Sequence, residues 1–219
     1  MKQVFTTKLI WIIILAQKDV IEMNGQELLA YLAEQNNGIL RTADAVRAGV
    51  SKPTLRKFVE KHGYERFMRG VYCAPYAWID KMHLFQMRWP AAIFSHDTAL
   101  FLHDMTDRDP LQYTVTMKTG RNPTNLTNAG LCVYTVKSEL FSLGQMTMKT
   151  PYDNEVQTYN VERTVCDIVR SRNSMDGFIF QETLKRYARR KDKDLHRLMQ
   201  YAKAFHVDSL MKQYMEVLL

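Results

Sequence analysis

The spacing of apolar residues changes period several times along the chain. Over 26–35 the apolar residues Leu28, Leu29, Tyr31, Leu32 and Ala33 recur at helical intervals, and Asn36-Asn37-Gly38 supplies residues that tolerate a left-handed cap. Ile39-Leu40-Arg41 is long enough only for a first β-bridge. Thr42 reads as the N-cap of a helix through Ala48, stopped by Gly49. Ser51 reads as the cap of the next helix, with Pro53 in its first turn, where a missing N–H does no harm. That helix runs to about His62. Strand-like runs over 64–68 and 71–74 flank the turn signal Arg69-Gly70, and Pro75 closes the unit.

A second region starts near Trp78. The pattern predicts a helix over 82–89 interrupted by Pro90, then a helix capped by Ser95 and reaching about His103. A loop over 107–110 precedes a β-branched strand over 113–117, a long polar loop over 119–128 and a strand over 131–136. Segments 146–149 and 155–159 flank Pro151-Tyr152-Asp153-Asn154 as a hairpin, and four helical stretches follow over 161–171, 178–190, 195–205 and 209–219. The expected fold class is therefore α+β: an N-terminal winged helix-turn-helix domain over 23–77, followed over 78–219 by a mixed α/β domain ending in a helical segment.

Residues 1–22 are set apart as an N-terminal extension. Leu9-Ile10-Trp11-Ile12-Ile13-Ile14-Leu15-Ala16 is apolar but far short of the ~20 residues that span a bilayer, and no small-x-small cleavage site follows. An extra element, a disordered tail and a start codon assigned too early all remain open; Met23 opens directly into the first periodic helix. The cysteines Cys73, Cys132 and Cys166 form no CxxC pair and no disulfide framework, which suits a reducing, cytoplasmic setting with each thiol a small buried side chain. With 46% hydrophobic and 24% charged residues the chain is globular in composition, and its formal net charge of +7 admits a polyanionic partner.

The location of that charge gives it meaning. In Thr42–Val59 the small residue Ala45 falls where two helices approach, and Gly49 permits the turn between them. Val50, Leu55 and Phe58 take the packed side. Ser51, Lys52, Thr54, Arg56 and Lys57 are left on the exposed side of the second helix, where such a helix enters the major groove. Lys and Arg there reach guanine O6 and N7 or phosphate, and Thr reaches a thymine methyl. The hairpin becomes the wing, with Arg66 on its first strand and Arg69 at its tip, placed for the backbone or the minor groove. The competing reading is a three-helix unit and hairpin that packs on the second domain and touches no DNA. Asp44 departs from the apolar residue expected before the small one.

In the second region Ser95-His96-Asp97 and His103-Asp104 invite a metal or hydrolase reading. Seven residues of helix separate the two histidines by ~10.5 Å, whereas one zinc is better served by an i, i+4 pair, and three sequential neighbours cannot converge as a triad. Structural polar residues explain them more simply. Arg163 is expected to pair with Asp167 at i, i+4 in a buried polar network, below Glu162 in the first turn of its helix. A metal-dependent nuclease or hydrolase with an accessory DNA-binding domain is the alternative, its carboxylates sought among Asp107, Asp109, Glu139 and Glu155. No glycine-rich phosphate loop occurs, and no cofactor or metal is expected. Lys185, Arg186, Arg189, Arg190, Lys191 and Lys193 form a second basic run, read first as a solvated face and second as an extra nucleic-acid contact.

The helix-turn-helix, Arg69-Gly70-Val71-Tyr72, Ser95-His96-Asp97-Thr98-Ala99-Leu100 with His103, and Glu162-Arg163-Thr164 with Asp167 together resemble the AbiEi-type antitoxins of bacterial abortive-infection, or type IV toxin–antitoxin, operons. The resemblance implies a non-enzymatic protein whose N-terminal domain binds double-stranded DNA at inverted repeats in its own promoter and represses the operon. It also implies that the C-terminal domain neutralises a nucleotidyltransferase-like toxin without a stable complex, in a system tied to growth arrest on phage infection. On that basis Ser51 to Lys57, Arg66 and Arg69 become the DNA contacts, and the basic run from Lys185 to Lys193 a candidate antitoxin face.

Overall fold

A computed structural model describes residues 23–219, so the N-terminal extension and its apolar run lie outside the described residues. The chain divides between Ile79 and Asp80 into two compact units.

The first unit contains α1 (Gly25–Gln35), β1 (Ile39–Arg41), α2 (Thr42–Arg47), α3 (Lys52–Lys61), β2 (Glu65–Met68) and β3 (Val71–Cys73). Helix α1 starts at a capping box that the pattern did not reveal: the Asn24 side chain accepts from the Gln26 and Glu27 amides, and Glu27 accepts from the Asn24 amide at 2.8 Å. Asn37 and Gly38 take the expected left-handed conformations (φ 50° and 82°) and turn the chain into β1. Thr42 is one residue inside α2 rather than its cap; Arg41 occupies the cap position without a side-chain hydrogen bond. Gly49, at φ 90°, makes the turn to α3, and Ala45, almost wholly buried, lets the helices approach. Leu28, Leu29, Leu40, Val50, Leu55, Phe58 and Val59 complete the core. β3 is the middle strand of an antiparallel sheet of order β1-β3-β2, with an irregularity between Arg66 and Met68.

The second unit holds α4 (Lys81–Arg88), β4 (Ile93–Phe94), α5 (His96–Leu102), β5 (Thr114–Lys118), α6 (Thr124–Thr127), β6 (Cys132–Val136), α7 (Ser138–Phe141), β7 (Gln145–Lys149) and β8 (Glu155–Tyr159). It ends in α8 (Val161–Arg170), α9 (Gly177–Arg189), α10 (Leu195–Ala204) and α11 (Asp208–Leu218). The polar loop expected over 119–128 contains α6, whose first turn is closed by the Asn122 side chain accepting from the Thr124 amide at 2.9 Å. The sheet order is β6-β5-β4-β8-β7; β5/β6 and β4/β8 are parallel and the other two pairs antiparallel. Alternation sends adjacent residues to opposite faces. Ile93 and Tyr159 join a core with α5 and α8–α11, while Phe94, Val115, Met117 and Val156 join another with Met82 and Leu126. Among the described residues no helix is long and apolar enough to cross a membrane.

At the centre of the larger core lies a guanidinium. Arg163 and Asp167 are both fully buried and joined by Nε–Oδ2 at 2.9 Å. Arg163 Nη1 donates to the Leu140 and Leu143 carbonyls at 2.9 and 2.8 Å, and its plane is held between the rings of Tyr159 and Phe205. The second carboxylate oxygen of Asp167 lies 3.4 Å from Arg170. Gly144 (φ 74°) supplies the room, since a Cβ there would come within 2.7 Å of Arg163 Cβ.

The histidines are part of the same interior. Ser95 does not cap α5. Its Oγ accepts instead from Thr116 at 2.8 Å and meets His96 Nδ1 at 3.0 Å, while His96 Nε2 meets Ser171 Oγ at 3.1 Å. The His96 ring stacks on Tyr134, and its backbone is left-handed at φ 47°. His103 Nε2 donates to the Tyr159 carbonyl at 2.7 Å. Cys73 and Cys166 are buried as expected, whereas Cys132 is half-buried; all three are free thiols.

Two outcomes are expected in denaturant titrations. Arg163→Met should cost about 3–5 kcal/mol, because Asp167 is then left charged and buried without its main partner; a loss below 1 kcal/mol would contradict the central role given to the pair. Burial pushes the His96 pKa down to about 4 and lowers that of His103. Between the unfolded pKa of ~6.5 and the depressed folded value, the unfolded chain binds the extra proton, so stability is present above pH ~6.5 and lost as pH falls. The His96 contribution alone amounts to about 3 kcal/mol across that window. His96→Gln should flatten the acid limb relative to wild type, and parallel limbs would refute the assignment.

Candidate nucleic-acid interface

Helix α3 is built to show one face. Ser51, in extended backbone, accepts from the Thr54 amide at 3.2 Å and fixes the start of the helix, and Pro53 occupies the first turn. Leu55, Phe58 and Val59 are buried at i, i+3 and i+4, which sets the rotation of the helix about its axis. Lys52, Arg56 and Lys57 are exposed as a result, together with Glu60 and Lys61. No acidic side chain stands in the first turn, so Lys52 and the helix dipole present positive potential together.

Thr54 is less open than its cationic neighbours. It is half-buried, and its hydroxyl lies 2.8 Å from Ser51 Oγ, so it closes the cap rather than pointing out towards a base. Arg56 is exposed but held: its Nε donates to Glu60 Oε1 at 2.8 Å, and this partner raises its pKa. Arg66 on β2 and Arg69 in the hairpin turn are both exposed. The turn is tied to α2, since the Thr42 amide donates to the Gly70 carbonyl at 2.8 Å. Asp44 occupies its unexpected position because Arg41 Nε and Arg47 both reach its carboxylate, the latter at 3.5 Å. Arg47 is exposed and escaped the sequence reading; the i, i+3 spacing from Asp44 was the available signal.

In the second unit the basic run is not one free face. Arg186 makes a two-pronged ion pair with Asp107, which holds that carboxyl below the usual range. Arg190 pairs with Asp192 through Nε and Nη2, at 2.9 and 2.7 Å, and its Nη1 donates to the His103 carbonyl. Lys193 donates to the Arg190 carbonyl at 3.0 Å, and Lys185 lies 3.4 Å from Glu182. Lys185, Arg189 and Lys191 are the exposed members. Among the described residues, Asp107, Asp109, Glu139 and Glu155 join no group of three or more His, Cys, Asp or Glu side chains able to hold a metal ion.

The structure is similar to the crystal structure of the RV2827C protein from Mycobacterium tuberculosis, with a TM-score of 0.54 at 11% identity over 86% of this chain and 79% of that one. The likeness is one of fold. No curated protein matches the chain in sequence. Residues 27–75, from the first turn of α1 to the end of the hairpin, match the family described as transcriptional regulator, AbiEi antitoxin. Over this N-terminal segment the resemblance read from the sequence is borne out: residues 27–75 are similar to the AbiEi antitoxin transcriptional-regulator family.

Proposed function

We propose that the protein is a winged helix-turn-helix autorepressor and the antitoxin of a toxin–antitoxin operon. The single observation that supports this most is the water-facing cationic edge of α3, Lys52, Arg56 and Lys57, inside a segment that matches a regulator family. In this reading the N-terminal half of α3 enters the major groove of double-stranded DNA. Lys52 and Lys57 contact phosphates, the Ser51 cap fixes the helix start, and Arg66 and Arg69 follow the backbone beside it or the minor groove. Binding at inverted repeats in its own promoter represses transcription. The second unit opposes a nucleotidyltransferase-like toxin without a lasting complex, and Lys185, Arg189 and Lys191 are its candidate contact side chains.

A mobility-shift titration on duplex DNA from upstream of the coding sequence tests the first half. Each phosphate contact contributes about 0.9 to the slope of log affinity against log salt, so joint replacement of Lys52 and Lys57 by Ala should reduce that slope by about 2. Joint replacement of Arg56 and Lys57 by Ala should remove the specific complex. An unaltered shift in both variants would rule out α3 as the reading element. Growth rescue on co-expression with the neighbouring toxin gene tests the second half, and a second unit unable to rescue would refute it.

A further inference from the structure

The Arg56–Glu60 pair makes a stronger statement than exposed charge does, and it rests on the DNA-binding reading above. A guanidinium has five N–H donors in a fixed plane. Glu60 engages Arg56 through Nε, at 2.8 Å, on the outer face of α3. The two terminal nitrogens of Arg56 make no hydrogen bond among the described residues. One edge of the plane is thereby engaged by Glu60, which biases its orientation, and the Nη1/Nη2 fork is left without a protein partner. A fork of that kind matches the O6 and N7 acceptors of guanine, which a lysine cannot engage as two parallel bonds.

We infer that Arg56 is the base-reading residue of the unit, selecting a guanine in the major groove, and that Glu60 is a positioning residue that orients its guanidinium. The surroundings fit a division of labour. Lys52 and Lys57 are exposed point charges suited to phosphate, whereas Arg56 has an i, i+4 partner that biases the orientation of its plane. Glu60 also has a cost for binding, because a carboxylate near the groove repels phosphate whatever the sequence. An acid on the exposed face of a DNA-reading helix is accounted for if it sharpens discrimination.

Binding-site selection from duplexes randomised around the upstream site, followed by anisotropy titrations on the selected duplex and on single-base variants, tests the inference. Wild type should prefer guanine at one position of each half-site by about 5- to 150-fold, the range of one two-pronged base contact. Arg56→Lys should lose that preference with the salt slope unchanged. Glu60→Ala should lose most of it while binding unrelated DNA more tightly. Glu60→Gln, which can still accept from Nε, should keep it. Lys52→Ala should lower the salt slope and keep the preference. If Glu60→Ala retains the full preference, Glu60 does not orient Arg56. If wild type binds its site with no guanine dependence on Arg56, the inference falls and the repressor reading stands; if wild type binds no duplex at all, both fall.

Discussion

Leu55, Phe58 and Val59 decide which way α3 faces. Burying each is worth ~1.5–3 kcal/mol, far more than a solvent-screened surface ion pair such as Arg56–Glu60 contributes. Rotating the helix by half a turn would therefore lose far more than any rearranged surface charge could return. The apolar stripe sets the rotation, the Ser51 cap sets the start, and the cations are left on the remaining arc. The exposed cationic edge is thus a by-product of core packing. Its orientation is as firm as the core beneath it.

That dependence explains why the first unit was legible. Its signals are local: a capped start at Ser51, a small residue at Ala45, a glycine at a left-handed turn and an alternating hairpin around Arg69-Gly70. Each element follows from residues within a few positions, so boundaries fell within one or two residues. The errors were local as well. Asn24 and Glu27 form a capping box that the apolar period does not encode, and Arg41, not Thr42, holds the cap position of α2.

The second unit was less legible because its organising contacts are distant in sequence. The Arg163–Asp167 pair is visible as an i, i+4 spacing, and it was expected. What the spacing could not show is that Leu140, Leu143, Tyr159 and Phe205 surround the guanidinium, from up to 42 residues away. Likewise, nothing near Ser95 announces that its hydroxyl turns from the helix start to Thr116 and His96. Ser95 and His96 of the tempting Ser95-His96-Asp97 string are resolved by these partners into interior architecture. Both ring nitrogens of His96 already face hydroxyls, and its low pKa keeps it neutral. The four C-terminal helices were legible from period alone, whereas the packing of α9 and α10 on α8, and of α11 on α9 and α10, was not.

Charge in a sequence and charge offered to a partner are different quantities. Six cations between Lys185 and Lys193 look like one patch, yet four of them have partners within the protein: Lys185 with Glu182, Arg186 with Asp107, Arg190 with Asp192 and the His103 carbonyl, and Lys193 with the Arg190 carbonyl. A guanidinium with both ends occupied must break those bonds before it meets a phosphate, and the cost offsets much of the gain. Arg56 differs in degree. One edge is held, the other is open, and holding a planar fork lowers the entropy lost when it docks. The same kind of contact that removes Arg190 from the pool of free cations can therefore make Arg56 selective. The number of donors left over decides between the two outcomes.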